Sequence, residues 1–148
     1  MKNKIILLVE DRDDDIELIL EALKENRIIN EVVVVRDGEK ALDYLFMRGE
    51  YAGNNLDRMP TVILLDIKLP KINGLEVLKQ VRANSLTKLF PVVILTSSKE
   101  EQDLISGYSL GCNSYVRKPV EFQQFSEAVR NLGLYWLLIN EPPSKEKN

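Results

Sequence analysis

At 148 residues, 45% hydrophobic and 29% charged, the chain has the length of one globular domain and can bury a core without disulfides or a structural metal. A net charge of -3, with no basic patch or stripe, argues against direct nucleic-acid binding. The absence of histidine excludes Ser-His-Asp triads and imidazole metal sites, and the lone Cys112 excludes an intrachain disulfide, so chemistry is left to carboxylates, hydroxyls and lysine.

Lys4 to Val9 is an apolar run without helical period that ends in Glu10-Asp11-Arg12-Asp13-Asp14-Asp15, which predicts a strand running into a helix start. Ile16, Ile19, Leu20 and Leu23 then recur at helical spacing with Glu17, Glu21 and Lys24 outward. Acids suit the positive end of a helix dipole, and Asp13, Asp14 and Asp15 read as capping and solvated residues. Glu10 and Asp11 exceed that need. Val32 to Val35 predicts a second strand, and Asp37-Gly38 caps a helix with Ala41, Leu42, Leu45 and Phe46 on one face. Arg48 to Met59, polar with Gly49, Gly53 and paired asparagines, predicts a long surface loop closing at Pro60.

Thr61-Val62-Ile63-Leu64-Leu65-Asp66 is apolar up to one carboxylate, as expected of a strand buried on both faces that delivers Asp66 to its carboxyl end. After turn chemistry from Leu69-Pro70 to Asn73-Gly74, Leu75, Leu78 and Val81 predict a third helix with Lys79 and Arg82 toward its end. Pro91 to Leu95 is a fourth strand finishing in Thr96-Ser97-Ser98. Residues 99–110 form a helix closed by Gly111, with Cys112 as a small buried filler. Tyr115-Val116 is a last strand, followed by Arg117-Lys118-Pro119. A final helix from Val120 carries Phe122, Phe125, Val129, Leu132 and Trp136 and stops at Pro142-Pro143. Residues 1–140 are thus expected to form the domain and 141–148 a flexible tail. Leu134 to Ile139 is too short to span a bilayer and no secretory leader precedes the first strand, so the expected location is cytoplasmic.

Five alternations of strand and helix imply an α/β fold with a parallel sheet between helices. Right-handed crossovers in the flavodoxin-like order 2-1-3-4-5 set strands one and three side by side. The carboxylates of Glu10, Asp11 and Asp66 then meet, with Thr96 and Lys118 arriving from neighbouring strand ends. Carboxylates about 4 Å apart repel by about 4 kcal/mol per pair at an effective dielectric near 20. With only hard oxygen ligands to hand, the cation that fits is magnesium. A metal, an ammonium and a hydroxyl grouped around Asp66 would stabilise a phosphoryl group in transfer, with Asp66 as the nucleophile.

Five pieces, Leu8-Val9-Glu10-Asp11, Leu64-Leu65-Asp66, Leu69-Pro70 with Asn73-Gly74, Leu95-Thr96-Ser97, and Tyr115-Val116-Arg117-Lys118-Pro119, stand in the order and at the spacings of a known family. Over nearly its whole length the chain resembles the receiver domain of two-component response regulators. The resemblance implies that Glu10, Asp11, Asp66 and the backbone carbonyl of Lys68 hold Mg2+. It implies equally that Lys118 pairs with the phosphoryl oxygens, Thr96 donates to one of them, and the peptide before Pro119 is cis. The implied role is phosphoacceptor signalling rather than enzymatic turnover, with a sensor histidine kinase as donor. Thr96 would move toward the new oxygens and Tyr115 would rotate in from an exposed position, coupling the site to helix 4, strand 5 and helix 5.

No output domain follows the final helix, which implies a stand-alone receiver acting by docking or as a homodimer through helix 4, strand 5, helix 5 and the Trp136 region. The loop at 48–59, the Thr96-Ser97-Ser98 cluster and Leu134-Tyr135-Trp136-Leu137-Leu138 resemble the single-domain regulators partnered with bacterial phytochromes. Lys68 and Ser98 would tune the lifetime of the phosphoryl group. Two alternatives remain at this stage. A magnesium-dependent aspartyl-phosphate phosphatase would need a second aspartate where Lys68 stands. A constitutive scaffold usually shows erosion of the acidic pair, the nucleophile or the lysine, none of which is eroded here.

Overall fold

Apart from Glu31, Thr96, Ser114 and Arg117, the strand positions of the sheet are branched or aromatic apolar residues, and the pleat sends alternate ones to opposite faces. In the computed structural model of the chain this builds a five-stranded parallel sheet in the order β2-β1-β3-β4-β5. The structure describes residues 4–118 together with 123, 124, 126, 127, 130 and 131. The strands are β1 (Ile5–Val9), β2 (Glu31–Val35), β3 (Val62–Leu65), β4 (Val92–Thr96) and β5 (Ser114–Arg117), and the connecting helices are α1 (Asp13–Glu25), α2 (Gly38–Leu45), α3 (Gly74–Ala83) and α4 (Glu101–Ser109). The fold is flavodoxin-like, in the expected strand order. Pro119 and the apolar positions of the expected final helix, from Phe122 to Trp136, lie outside the described residues, as does the tail.

Leu7, Val9, Ile63, Leu65, Val92 and Ile94 face α2 and α3, where Ala41, Leu42, Leu45, Val77, Leu78 and Val81 complete one core. Ile6, Leu8, Val62, Leu64, Val93 and Leu95 face the other way, onto Ile16, Ile19, Ala22 and Leu23 of α1. The α1 stripe is rotated slightly from the expected one. Ala22 is fully buried, while Leu20 sits at the stripe's edge, 38% exposed. Cys112 is buried, as expected of a small filler.

The segment from Arg48 to Met59 lies at the surface as expected but is more ordered than a plain loop. It folds into two 3-10 turns, Gly49–Tyr51 and Leu56–Arg58, and Met59 is fully buried in the core. Tyr44, inside α2, explains why. Its ring meets Tyr51 edge-on at 5.0 Å, and its hydroxyl donates to the Arg58 carbonyl at 2.6 Å. Arg58 in turn grips Glu31, at the start of β2, through two hydrogen bonds of 2.8 and 2.6 Å. Polar composition marked this stretch as loop, but one aromatic pair and one bidentate ion pair are enough to fold it down.

Arg82 is a second unforeseen organiser. At the end of α3 it donates to the carbonyls of Gly111 (2.8 Å), Lys88 (3.0 Å) and Phe90 (2.8 Å) and to Asn113 Oδ1 (3.0 Å). Asn113 Oδ1 also accepts from Val92 N at 2.8 Å, so one guanidinium joins α3 to the entries of β4 and β5. Burial pulls its pKa downward, and no carboxylate is among the acceptors named here. Arg82→Met is expected to destabilise the fold by roughly 2–3 kcal/mol, since several carbonyls lose their donor at once. Urea melts measure this; an unchanged midpoint would show that water replaces the fork at no cost.

Gly74 fixes the approach of α3 to the sheet. A Cβ there would stand 2.0 Å from the carbonyl oxygen of Asp66 and 2.8 Å from Ile67 Cα, and Gly74 N donates to the Ile67 carbonyl at 2.8 Å. The glycine read from sequence as a turn residue is therefore required for close backbone packing beneath Asp66. Gly74→Ala is expected to cost roughly 1–3 kcal/mol by overpacking, and thermal unfolding would detect it.

Candidate functional site

The carboxyl edge of the sheet collects the acidic residues because of register. Val9 of β1 pairs with Leu65 of β3, and Asp66 N donates to the Val9 carbonyl at 3.1 Å, so Glu10 and Asp66 emerge side by side. Glu10 is 1% exposed and Asp66 4% exposed. One carboxylate oxygen from each of Glu10, Asp11 and Asp66 lies within 4.8 Å of the others. Three hard oxygen donors at that spacing, two of them buried, fit a divalent cation of the magnesium type. Asp66 is further fixed by Ile67 N, which donates to its Oδ1 at 2.7 Å.

β5 delivers the counter-charge. Lys118 N donates to the Thr96 carbonyl at 2.8 Å, extending the β4–β5 ladder, and the Lys118 side chain runs inward until it is 7% exposed. Its Nζ lies 2.5 Å from Glu10 Oε1, 2.8 Å from Asp15 Oδ2 and 3.5 Å from Asp66 Oδ2. Burial pushes the Glu10 carboxyl up to about 7, against the hydrogen bond from Lys118. Burial pulls the Lys118 ammonium down, but hydrogen bonds to Asp15 and Glu10, with the charge of Asp66, outweigh it and the net direction is up. The ammonium is thus held charged in a place that disfavours bare carboxylates.

Thr96 closes β4 two residues beyond Ile94, which pairs with Leu65. It is fully buried, and its Oγ1 accepts from Ser98 N at 3.2 Å. Ser98 is buried too, and its hydroxyl donates to Asp103 Oδ2 at 2.6 Å, tying the exit of β4 to the first turn of α4. Lys68 directs its ammonium outward to Glu100 Oε1 at 3.7 Å.

Two expectations need correction. Asp15 is not merely a capping residue: from the first turn of α1 its carboxylate accepts a hydrogen bond from Lys118 Nζ. The available signal was that Asp15 stands four residues before Ile19 and seven before Ala22, in line with the buried stripe of α1; two neighbouring aspartates that do face solvent masked it. Tyr115, expected at an exposed position, is half-buried, and its hydroxyl is shielded from solvent, near the Ser98 side chain but with no partner in hydrogen-bonding geometry among the described residues. The reason is lateral packing. Its ring lies against Tyr108 of α4, centroids 6.4 Å apart and tilted by 32°, and burial pushes its pKa upward.

Comparison with known proteins agrees with this architecture. The model of the response regulator receiver domain matches residues 6–130. Response regulator Rcp1 of Synechocystis sp. is 41% identical over 134 residues, covering 90% of this chain and 89% of that protein. A crystal structure of Rcp1 in its Mn2+-bound form superposes with a TM-score of 0.86 at 38% identity, covering 95% of this chain and 99% of that one. The phosphorylated cyanobacterial phytochrome response regulator RcpA gives a TM-score of 0.88 at 41% identity, covering 96% and 99%. The bacteriophytochrome response regulator RtBRR is 53% identical with a TM-score of 0.75, covering 97% and 86%.

Proposed function

This chain belongs to the response regulator receiver family, and on that premise we propose that Asp66 accepts a phosphoryl group from a sensor histidine kinase. The observation that carries the reading is the buried Asp66 carboxylate flanked by Glu10, Asp11 and the enclosed ammonium of Lys118.

Glu10, Asp11 and Asp66, with the backbone carbonyl of Lys68, would hold Mg2+, which when bound neutralises charge on the phosphoryl oxygens. An Asp66 oxygen forms the new O–P bond as the P–N bond of a phosphohistidine breaks, the electron pair staying with the imidazole. Lys118 answers the charge on the transferred group, and Thr96 Oγ1 donates to one of its oxygens. The product adds roughly -1.5 to -2 of charge at this strand edge. Thr96 Oγ1 accepts from Ser98 N, so a movement of Thr96 toward the phosphoryl group would be felt at Ser98 and its tie to Asp103 of α4. Thr96 and Tyr115 act as the switch pair, with Tyr115 already packed inward against Tyr108.

The names of RcpA, a phytochrome response regulator, and RtBRR, a bacteriophytochrome response regulator, favour a bacteriophytochrome as the kinase. Output runs through docking or a homodimer using α4, β5, helix 5 and the Trp136 region. Ile105 and Tyr108 on α4, 52% and 54% exposed, support that surface. The proposed domain covers residues 1–140 with 141–148 as tail, and the proposed location is the cytoplasm. Among the described residues no helix is long and apolar enough to cross a membrane.

Intact mass and sedimentation, measured with Mg2+ before and after acetyl phosphate, test the reading. A gain of one phosphoryl group that disappears with EDTA, accompanied by a change in association, is the expected result. Labelling without any change in association would move the output to a different partner. Absence of labelling at saturating Mg2+ would overturn the phosphoacceptor role.

A further inference from the structure

We propose that Asp15 is a positioning residue for Lys118, holding the ammonium back from Asp66 so that the Asp66 oxygens stay available to a divalent cation. The inference rests on the receiver reading of the site and adds to it a carboxylate that neither composition nor the acidic triad identifies.

An ammonium has three N–H donors and no acceptor. Two of those of Lys118 go to Glu10 Oε1 at 2.5 Å and Asp15 Oδ2 at 2.8 Å. Asp66 Oδ2, at 3.5 Å, is near enough for charge attraction but beyond ordinary N–H···O distance. Asp15 therefore takes the place that Asp66 would otherwise fill as the second hydrogen-bonded carboxylate. It is not one of the three carboxylates whose oxygens share ligand distance, so its role is exercised on the lysine rather than on the ion.

Its placement suits such a role. Asp15 lies in the first turn of α1, a 13-residue helix whose buried face is locked into the core, and Arg12 Nε stands 3.5 Å from the same Oδ2. Its side chain is 20% exposed, while that of Lys118 is 7% exposed, so water is a poor substitute for the pairing. With Asp15 removed, Lys118 has two buried carboxylates left and closes on Asp66. The protein's own cation then occupies oxygens that a divalent ion needs, and the two compete directly.

Calorimetric titration of Mg2+ into the unphosphorylated chain tests this, using wild type, Asp15→Ala, the neutral isostere Asp15→Asn, Asp15→Glu, Lys118→Met and Asp15→Ala/Lys118→Met, each checked by a thermal melt. Asp15→Ala should weaken Mg2+ binding about tenfold, within the range over which charges in one network couple, with Asp15→Asn following in the same direction. Asp15→Glu should recover most of the loss. In the Lys118→Met background, removing Asp15 should change affinity less than about twofold. The rate of acetyl phosphate labelling should show the same split, a raised half-saturating Mg2+ concentration with the rate at saturating Mg2+ preserved. An equal loss with and without Lys118 would mean that Asp15 acts only as a general negative charge, and unaltered affinity in Asp15→Ala would mean that it does not position the lysine; either overturns the proposal. Asp66→Asn separates the two levels. If it lowers Mg2+ affinity while Asp15→Ala does not, only the positioning role fails; if it leaves Mg2+ affinity unchanged, the receiver reading of the site fails.

Discussion

Replacing Asp66 with asparagine is expected to abolish phosphoryl labelling while leaving the fold intact. The amide keeps the shape of the carboxylate, and its Oδ1 can still accept from Ile67 N. What it loses is the nucleophile: an amide oxygen carries no full negative charge and forms no stable acyl phosphate. Stability should hold, because Lys118 retains Glu10 and Asp15 as hydrogen-bonded acceptors, and removing one buried carboxylate relieves repulsion among those that remain. Intact mass after acetyl phosphate and Mg2+ should show one added phosphoryl group on wild type and none on Asp66→Asn, with thermal midpoints in EDTA equal or higher for the variant. One phosphoryl group on both proteins would place the acceptor elsewhere.

Lys118→Met should have the second largest effect, and a conditional one. The methionine keeps most of the volume of the stem but removes the ammonium from among Glu10, Asp15 and Asp66. Breaking a buried ion pair by deleting one partner costs about 3–5 kcal/mol. Here Glu10, already pushed up to about 7 by burial, can take a proton and recover part of that, so a loss of roughly 2–3 kcal/mol in EDTA is expected. Saturating Mg2+ supplies the missing positive charge and should close most of the gap. Labelling should persist weakly, because Asp66 and the metal ligands remain, but it should no longer alter association. Denaturant melts with Mg2+ and with EDTA make the comparison. If wild type and Lys118→Met are equally stable in EDTA, the lysine is not the internal counter-ion described here.

The two variants differ because their residues stand in different physical positions. Asp66 is the proposed phosphoacceptor, and a nucleophile lost there is not replaced by the charges around it. Lys118 is one charge in a balance of five, and its loss is buffered by protons and by metal. The same balance explains why Asp15, not itself among the metal-binding group, can influence that group through the lysine.

Much of this was legible in the chain itself. Uninterrupted branched runs such as Val62 to Leu65 can only be satisfied by a strand covered on both faces, and the helical spacing of Ile16, Ile19 and Leu23 by a helix laid against it. Those patterns, with right-handed crossovers, imply a parallel α/β sheet, and in the flavodoxin-like order Glu10 comes beside Asp66 at one edge. The residue types at that edge then point to a hard cation and to the proposed phosphoryl transfer. Only the tertiary structure could decide the rest, because it depends on directions that one-dimensional spacing does not encode. Which of three consecutive aspartates turns inward is set by where α1 begins, and the answer is Asp15. Whether the polar stretch from Arg48 to Met59 folds is set by its contacts with Tyr44 and Glu31, which lie outside it and which its own composition does not encode. Tyr115 packs inward because α4 presents Tyr108 to it. The need for glycine at position 74 arises from a carbonyl oxygen eight residues earlier that the helix comes close enough to touch.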